Sequence, residues 1–214
     1  MDLLDGWGIV FALVTLLVGL VFHEVMHAAT ASAFGDPTAR EAGRLTLNPI
    51  RHIDPFGTVI LPGVLLVLAA TGTGSGAVFG YARPVPVRID RLRHPRLHGL
   101  LVSLAGPFTN LFLGLIGAAV LRVAPVGQRV FQFLLLWILV NLVVAAFNLL
   151  PVPPLDGSEM VAVILPDRLR TVWYGFIRQF GFIVLLAILF LWPQILERVI
   201  DPVLRVLLRF ALAP

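Results

Sequence analysis

Apolar residues fall in long unbroken runs rather than in the alternating or striped patterns of half-buried strands and surface helices. From Gly6 to Phe34 the chain is predominantly apolar, with an apolar run from Trp7 to Phe22 that continues into His23-Glu24-Val25-Met26-His27, and reads as one helix, about 43 Å long at about 1.5 Å per residue, against a hydrocarbon core of about 30 Å. Gly35-Asp36-Pro37 ends it, because glycine relieves a C-cap and proline cannot continue the hydrogen-bond ladder. Leu97 to Leu121 predicts a second long apolar helix, with a kink at Gly106-Pro107 and an Asn110 that needs a partner in lipid. Its small residues Ala105, Gly106, Gly114 and Gly117 suit close helix packing. Phe131 to Leu150 predicts a third span and Val172 to Trp192 a fourth. After Gln194, the residues Glu197, Asp201, Arg205 and Arg209 recur at four-residue spacing beside apolar positions, an amphipathic stripe that either lies in the interface or packs as a final helix.

The stretches between these runs are shorter and more polar. Thr38 to Phe56 lacks a helical apolar period and reads as a loop or short hairpin, and Ser158 to Arg170 as a polar connection. Val59 to Ala70, broken by Pro62-Gly63, is too short for an ordinary span and, with the segment up to Tyr81, reads as a re-entrant hairpin. Charge agrees: Arg40, Arg44 and Arg51 precede it, and Arg83, Arg88, Arg91, Arg93 and Arg96 follow it, which puts both flanks on the cytoplasmic side. The expected architecture is an all-α polytopic membrane protein with about five or six membrane segments, one of them re-entrant. It forms a single unit over residues 1–214.

Composition supports the membrane reading, with 58% hydrophobic and 13% charged residues and a mean hydropathy of +0.95. The first apolar run lacks a basic start and a small-residue cleavage site, so it reads as a retained span rather than a removed signal peptide. All 16 basic residues are arginine, and the net charge of +4 is explained by topology and anionic head groups, without nucleic acid as a partner. There is no cysteine, so a metal must be held by histidine and carboxylate.

Candidate chemistry sits inside the first helix. His23 and His27 are four residues apart and share a face, so both imidazoles can reach one Zn²⁺, and Glu24 lies beside it, placed to take a proton from water. A pair of inert, hydrogen-bonded histidines is the plain alternative, but ionisable groups in an apolar span are costly and usually functional. Asn48-Pro-Ile-Arg-His52-Ile-Asp54-Pro-Phe-Gly57 either lines the site or is an ordinary solvated turn. Asp156 arrives at the end of a span, on backbone broken by Pro151, Pro153 and Pro154, and is the candidate third ligand. A water-facing helix-terminal aspartate is the alternative, and Asp54 and His52 come next as ligands.

Together, His23-Glu24-x-x-His27, Asn48-Pro-x-x-His52-x-Asp54-Pro-x-Gly57, Ala105-Gly106-Pro107-x-x-Asn110 and Asn148-x-x-Pro151-x-x-x-Leu155-Asp156-Gly157 resemble the site-two protease family of intramembrane zinc metalloproteases. The resemblance covers about residues 6–170, with the C-terminal span and amphipathic helix, about 172–212, beyond it. It implies a three-helix catalytic core, one Zn²⁺ on His23, His27 and Asp156, and Glu24 as general base and acid. It also implies cleavage of transmembrane helices of other proteins in the bilayer, often after a first cut by another protease. The length leaves no room for the PDZ or CBS domains of some members. Asn148, His52, Asn110 and Asn48 are the candidates for holding an unwound substrate or its oxyanion. The expected location is a bacterial cell membrane, with the site toward the cytoplasm. Two other classes fit less well: a membrane metal transporter, which would not need Glu24 within the histidine pair, and a catalytically inactive, substrate-holding relative.

Overall fold

The computed structural model describes residues 5–54 and 83–191 continuously, together with residues 3, 57, 60, 198, 201, 202, 205, 206, 208 and 209. The re-entrant hairpin expected over 59–81 and nearly all of the amphipathic tail lie outside the described residues.

Six helices carry the described fold: α1 (Gly6–Ala33), α2 (Thr38–Glu41), α3 (Pro95–Val123), α4 (Gln128–Asn148), α5 (Ser158–Ile164) and α6 (Asp167–Leu191). Among the described residues, three of them, α1, α3 and α4, are long and apolar enough to cross a membrane. α6 makes a fourth if its two halves, bent by 67° at residue 178, are counted together. The first helix begins where Asp5 caps it by accepting from the Gly8 N–H at 2.8 Å. It ends at Gly35, whose φ of +110° takes the left-handed turn that the sequence predicts there.

Side-chain pairings give the helix directions. Along α1, His23 meets Asn110 and His27 meets the Val102 carbonyl, so α1 and α3 are antiparallel. Gly8 faces Gln132 and Gly19 faces Asn141, so α1 and α4 run the same way. α1 therefore ends, α3 begins and α4 ends at one end of the bundle, which brings the 149–157 turn to the histidines. Glycine makes the close approaches possible: a Cβ at Gly117 would lie 2.7 Å from Trp137, and one at Gly114 would lie 2.9 Å from Leu142.

Two connections differ from the sequence expectation. Thr38 to Phe56 holds no hairpin among its described residues but a helical turn, α2, and a 3-10 turn over Pro49–Arg51 capped by Asn48. Ser158 to Arg170 is mostly helical: α5 stops before Pro166, and Asp167 opens α6 one residue after it. Trp173 Nε1–H donates to the Ser158 carbonyl and Tyr174 O–H to Glu159, so α6 holds α5 against the bundle.

Candidate metal centre

His23 and His27 project from one face of α1 into the seam with α3, where both are buried. Each ring is fixed from behind. Nδ1 of His23 lies 2.6 Å from Asn110 Oδ1, and Nδ1 of His27 lies 2.6 Å from the Val102 carbonyl oxygen. Oxygen acceptors at both Nδ1 atoms require N–H there, which leaves both Nε2 atoms as lone-pair donors on the open side.

The Asn110 side chain is itself anchored. It is fully buried, and its amide donates to the Gly19 carbonyl at 3.2 Å and to Asn141 Oδ1 at 2.9 Å. Asn141 in turn donates to the Trp137 carbonyl at 2.9 Å. A buried amide left unpaired in an apolar bundle would be costly, so this chain of amides has one satisfied arrangement, and that arrangement aims His23. Gly19 is the room it needs, because a Cβ there would come within 2.8 Å of Asn141 Oδ1.

The third group arrives from the other side on irregular backbone. Asp156 Oδ2 is 3.0 Å from His23 Nε2 and 3.4 Å from His27 Nε2. The 149–157 turn is held by the Gly157 N–H donating to the Asn148 carbonyl at 2.7 Å, an approach that only glycine permits, since a Cβ would stand 2.3 Å from the Leu149 oxygen. The two Nε2 atoms and one carboxylate oxygen all lie within 4.8 Å of one another. Gly106 of α3 faces the same point: a Cβ there would fall 2.4 Å from His27 Nε2 and 2.5 Å from His23 Nε2. Two lone-pair nitrogens, one carboxylate oxygen and a space that a single methyl group would fill fit a divalent zinc ion, which favours this donor set.

Glu24, next to His23, is partly buried and accepts from the Val85 N–H at 2.9 Å. Val85 belongs to an extended stretch, Arg83 to Arg88, that runs past the end of α1. Arg83 N–H donates to the His52 carbonyl at 2.8 Å and Arg88 N–H to Asp36 Oδ2 at 2.6 Å. Burial would raise the Asp36 pKa, but the donors from Thr38 and Arg88 prevail and hold it below the usual value.

The other expected residues take separate places. Asn110 is committed to His23, Gly19 and Asn141, so both its amide hydrogens are used within the bundle. His52 is buried and its Nε2 pairs with the Thr46 carbonyl at 2.8 Å, while Nδ1 has no partner among the described residues. Asn48 caps the 3-10 turn by accepting from Ile50 N–H at 3.1 Å, and Asp54 accepts from Gly57 N–H at 2.7 Å. Asn148 is half-buried beside the Asp156 turn, with its amide on the Val144 carbonyl at 3.0 Å. Asn141 escaped the sequence reading although it carries the signal that marked Asn110, an amide inside an apolar helix. The Val85 N–H that meets Glu24 escaped it too.

The fold and this donor set define a helical integral membrane protein with a metalloprotease-type zinc centre. The family model for Peptidase family M50 matches residues 124–192, a stretch that includes Asp156. "Putative zinc metalloprotease YwhC" of Bacillus subtilis is 42% identical over 201 residues, 86% of this chain and 85% of its own. "Putative zinc metalloprotease Rip2" of Mycobacterium tuberculosis is 31% identical over 182 residues, 84% of this chain and 66% of its own. "Putative zinc metalloprotease MJ0611" of Methanocaldococcus jannaschii is 29% identical over 153 residues, 71% and 69% of the two chains. No solved structure matches. The chain belongs to peptidase family M50, the site-two protease family that its motifs resemble.

Proposed function

We propose that this chain is an intramembrane endopeptidase that uses zinc to hydrolyse peptide bonds in or near transmembrane helices of other membrane proteins, acting as one unit over residues 1–214. The observation that carries the reading is the convergence of His23 Nε2, His27 Nε2 and Asp156 Oδ2 on one point within an apolar bundle, with Glu24 next to His23 in the chain. His23, His27 and Asp156 would hold the ion, which supplies a Lewis acid for the scissile carbonyl and the attacking water.

Glu24 takes a proton from the water and returns it to the nitrogen of the breaking C–N bond, leaving a new carboxyl end and an amine. Asn110 and the Val102 carbonyl keep both imidazoles in the tautomer that presents Nε2. The apolar faces of α1, α3 and α4 limit bulk water. A transmembrane substrate hides its carbonyls in its own hydrogen bonds, so it must unwind before it can react. Asn148, next to the Asp156 turn, is the candidate for binding the unwound strand. His52 and Asn48 act more remotely, by shaping the loop that follows α2.

Cleavage of a transmembrane peptide by detergent-purified protein, with zinc content measured alongside, tests this. Glu24→Gln keeps its shape but cannot accept a proton, so it should retain zinc and lose cleavage. Turnover in that variant would remove Glu24 from the chemistry. The arginine bias puts the centre toward the cytoplasm of a bacterial cell. Single cysteines at the exposed positions 40 and 91 should resist an impermeant thiol reagent on intact cells, whereas one at 127 should react; the opposite pattern reverses the orientation.

A further inference from the structure

We propose that Arg44 is a positioning residue for Glu24, acting through the peptide group between Pro84 and Val85; this rests on Glu24 being the proton acceptor. The N–H of that group, on Val85, donates to Glu24 Oε2 at 2.9 Å. Its C=O, on Pro84, accepts from Arg44 Nη2 at 3.2 Å. One peptide unit is thus held between a guanidinium and the carboxylate, and a donor at its oxygen polarises it and strengthens the N–H bond on its far side.

The rest of the segment serves the same geometry. Pro84 and Pro86 have no N–H and keep Arg83 and Val85 extended, so Val85 stands as a single donor on a stiff strut. Arg44 fixes the strut by also donating to the carbonyls of Arg83 and Arg51. It reaches them because Gly43, at φ +65°, turns the chain back after α2, and the arginine side chain lies buried under the loops. A charge buried among carbonyls, with no carboxylate within salt-bridge distance among the described residues, would be a poor means of joining loops alone. The electrostatic counterpart that Arg44 has is Glu24. With Oε2 held by Val85, Oε1 is the oxygen left to take the proton.

The test uses the full chain in detergent with a transmembrane peptide substrate. Val85 is replaced by its α-hydroxy acid, which deletes the N–H and keeps the side chain, and Arg44 by Gln and by Lys. The ester variant and Arg44→Gln should each lose about tenfold or more in kcat, with KM within about twofold and zinc content unchanged. Arg44→Lys, which keeps the charge but not the fork, should recover part of the loss. Hydrogen exchange over residues 83–88, simplified by the two prolines, should show the Val85 amide protected in wild type and Glu24→Gln but exposed in Glu24→Ala. An ester variant with wild-type kcat, or losses that follow zinc content or KM, would overturn the proposal, and the ester decides it if Arg44→Gln does not fold. Cleavage by Glu24→Gln would instead sink the reading of Glu24 itself; an inactive Glu24→Gln beside a fully active ester variant sinks only the role of Arg44.

Discussion

Helix α1 is tied to its neighbours by polar clusters at two levels, and the two are built differently. At its start, Asp5 caps the helix, pairs with Arg129 at 2.7 Å and accepts from Gln132 at 2.8 Å, with Arg129 and part of Asp5 open to solvent. Nearer its end, His23, His27, Asn110 and Asn141 are buried, and their partners are held within the bundle. In the first cluster water can replace a partner lost at Arg129 or Asp5, although Gln132 is buried, so the Arg129–Asp5 pair locates the helix end at little cost. In the second nothing can substitute, so each lost partner leaves an unpaired polar group in apolar surroundings. Positional precision in this molecule comes from that lack of substitutes.

The sharpest way to break the contrast is Gly106→Ala. Its methyl would need the space between the two Nε2 atoms, and the imidazoles cannot retreat without leaving Asn110 and Val102. Zinc content should fall to near zero and cleavage by about a hundredfold or more, measured on protein that still elutes as wild type. Asn110→Ala comes next. Freed from its acceptor, His23 can turn its ring or switch tautomer, and zinc affinity measured by chelator competition should drop about 10–100-fold. Asn141→Ala acts one bond further away. It should destabilise by about 1–3 kcal/mol in thermal unfolding, with a smaller loss of zinc affinity than Asn110→Ala.

The smallest effect is expected at the exposed end. Hydrogen bonding from Arg129, then from Gly8 and Gln132, lowers the Asp5 pKa to about 2 from an ordinary 3.8. Because the folded value is the lower one, the contribution is complete above about pH 4 and disappears as the pH falls toward 2. Asp5→Asn still caps the helix but loses the ion pair with Arg129, so its Tm should lie slightly below wild type at neutral pH and fall less steeply between pH 4 and 2. Zinc affinity should not change at neutral pH. A loss there would show that the two clusters are coupled through the helix, against the independence assumed here.

What the sequence made legible, and what it hid, divides along the same line. The histidine pair shows itself because a helix puts residues four apart on one face, and Asp156 because prolines deliver a carboxylate where no helix can continue. The long helices follow from their apolar runs to within a few residues: Leu97 to Leu121 becomes Pro95–Val123, since Pro95 is well suited to a first helical turn. Partner choice was not legible. An amide in an apolar helix announces a need but not who meets it, so Asn110 reads as a substrate contact until Asn141 and Gly19 are seen beside it. Arg44 sits among arginines that report topology, which conceals a buried side chain. The donor on Glu24 is a main-chain N–H, which has no signature beyond its two flanking prolines. The short helices α2 and α5 were missed because each is too brief to show an apolar period, although Pro166-Asp167 marked the break between α5 and α6.

The central claim, that two helix-borne imidazoles and one loop-borne carboxylate hold a single zinc ion, is tested most directly by zinc K-edge absorption spectroscopy on the purified protein, wild type beside Asp156→Ala. The account predicts one zinc per chain with two imidazole ligands, the remainder oxygen, and a marked loss of zinc when Asp156 is removed. Wild-type zinc content and an unchanged spectrum in Asp156→Ala would contradict it.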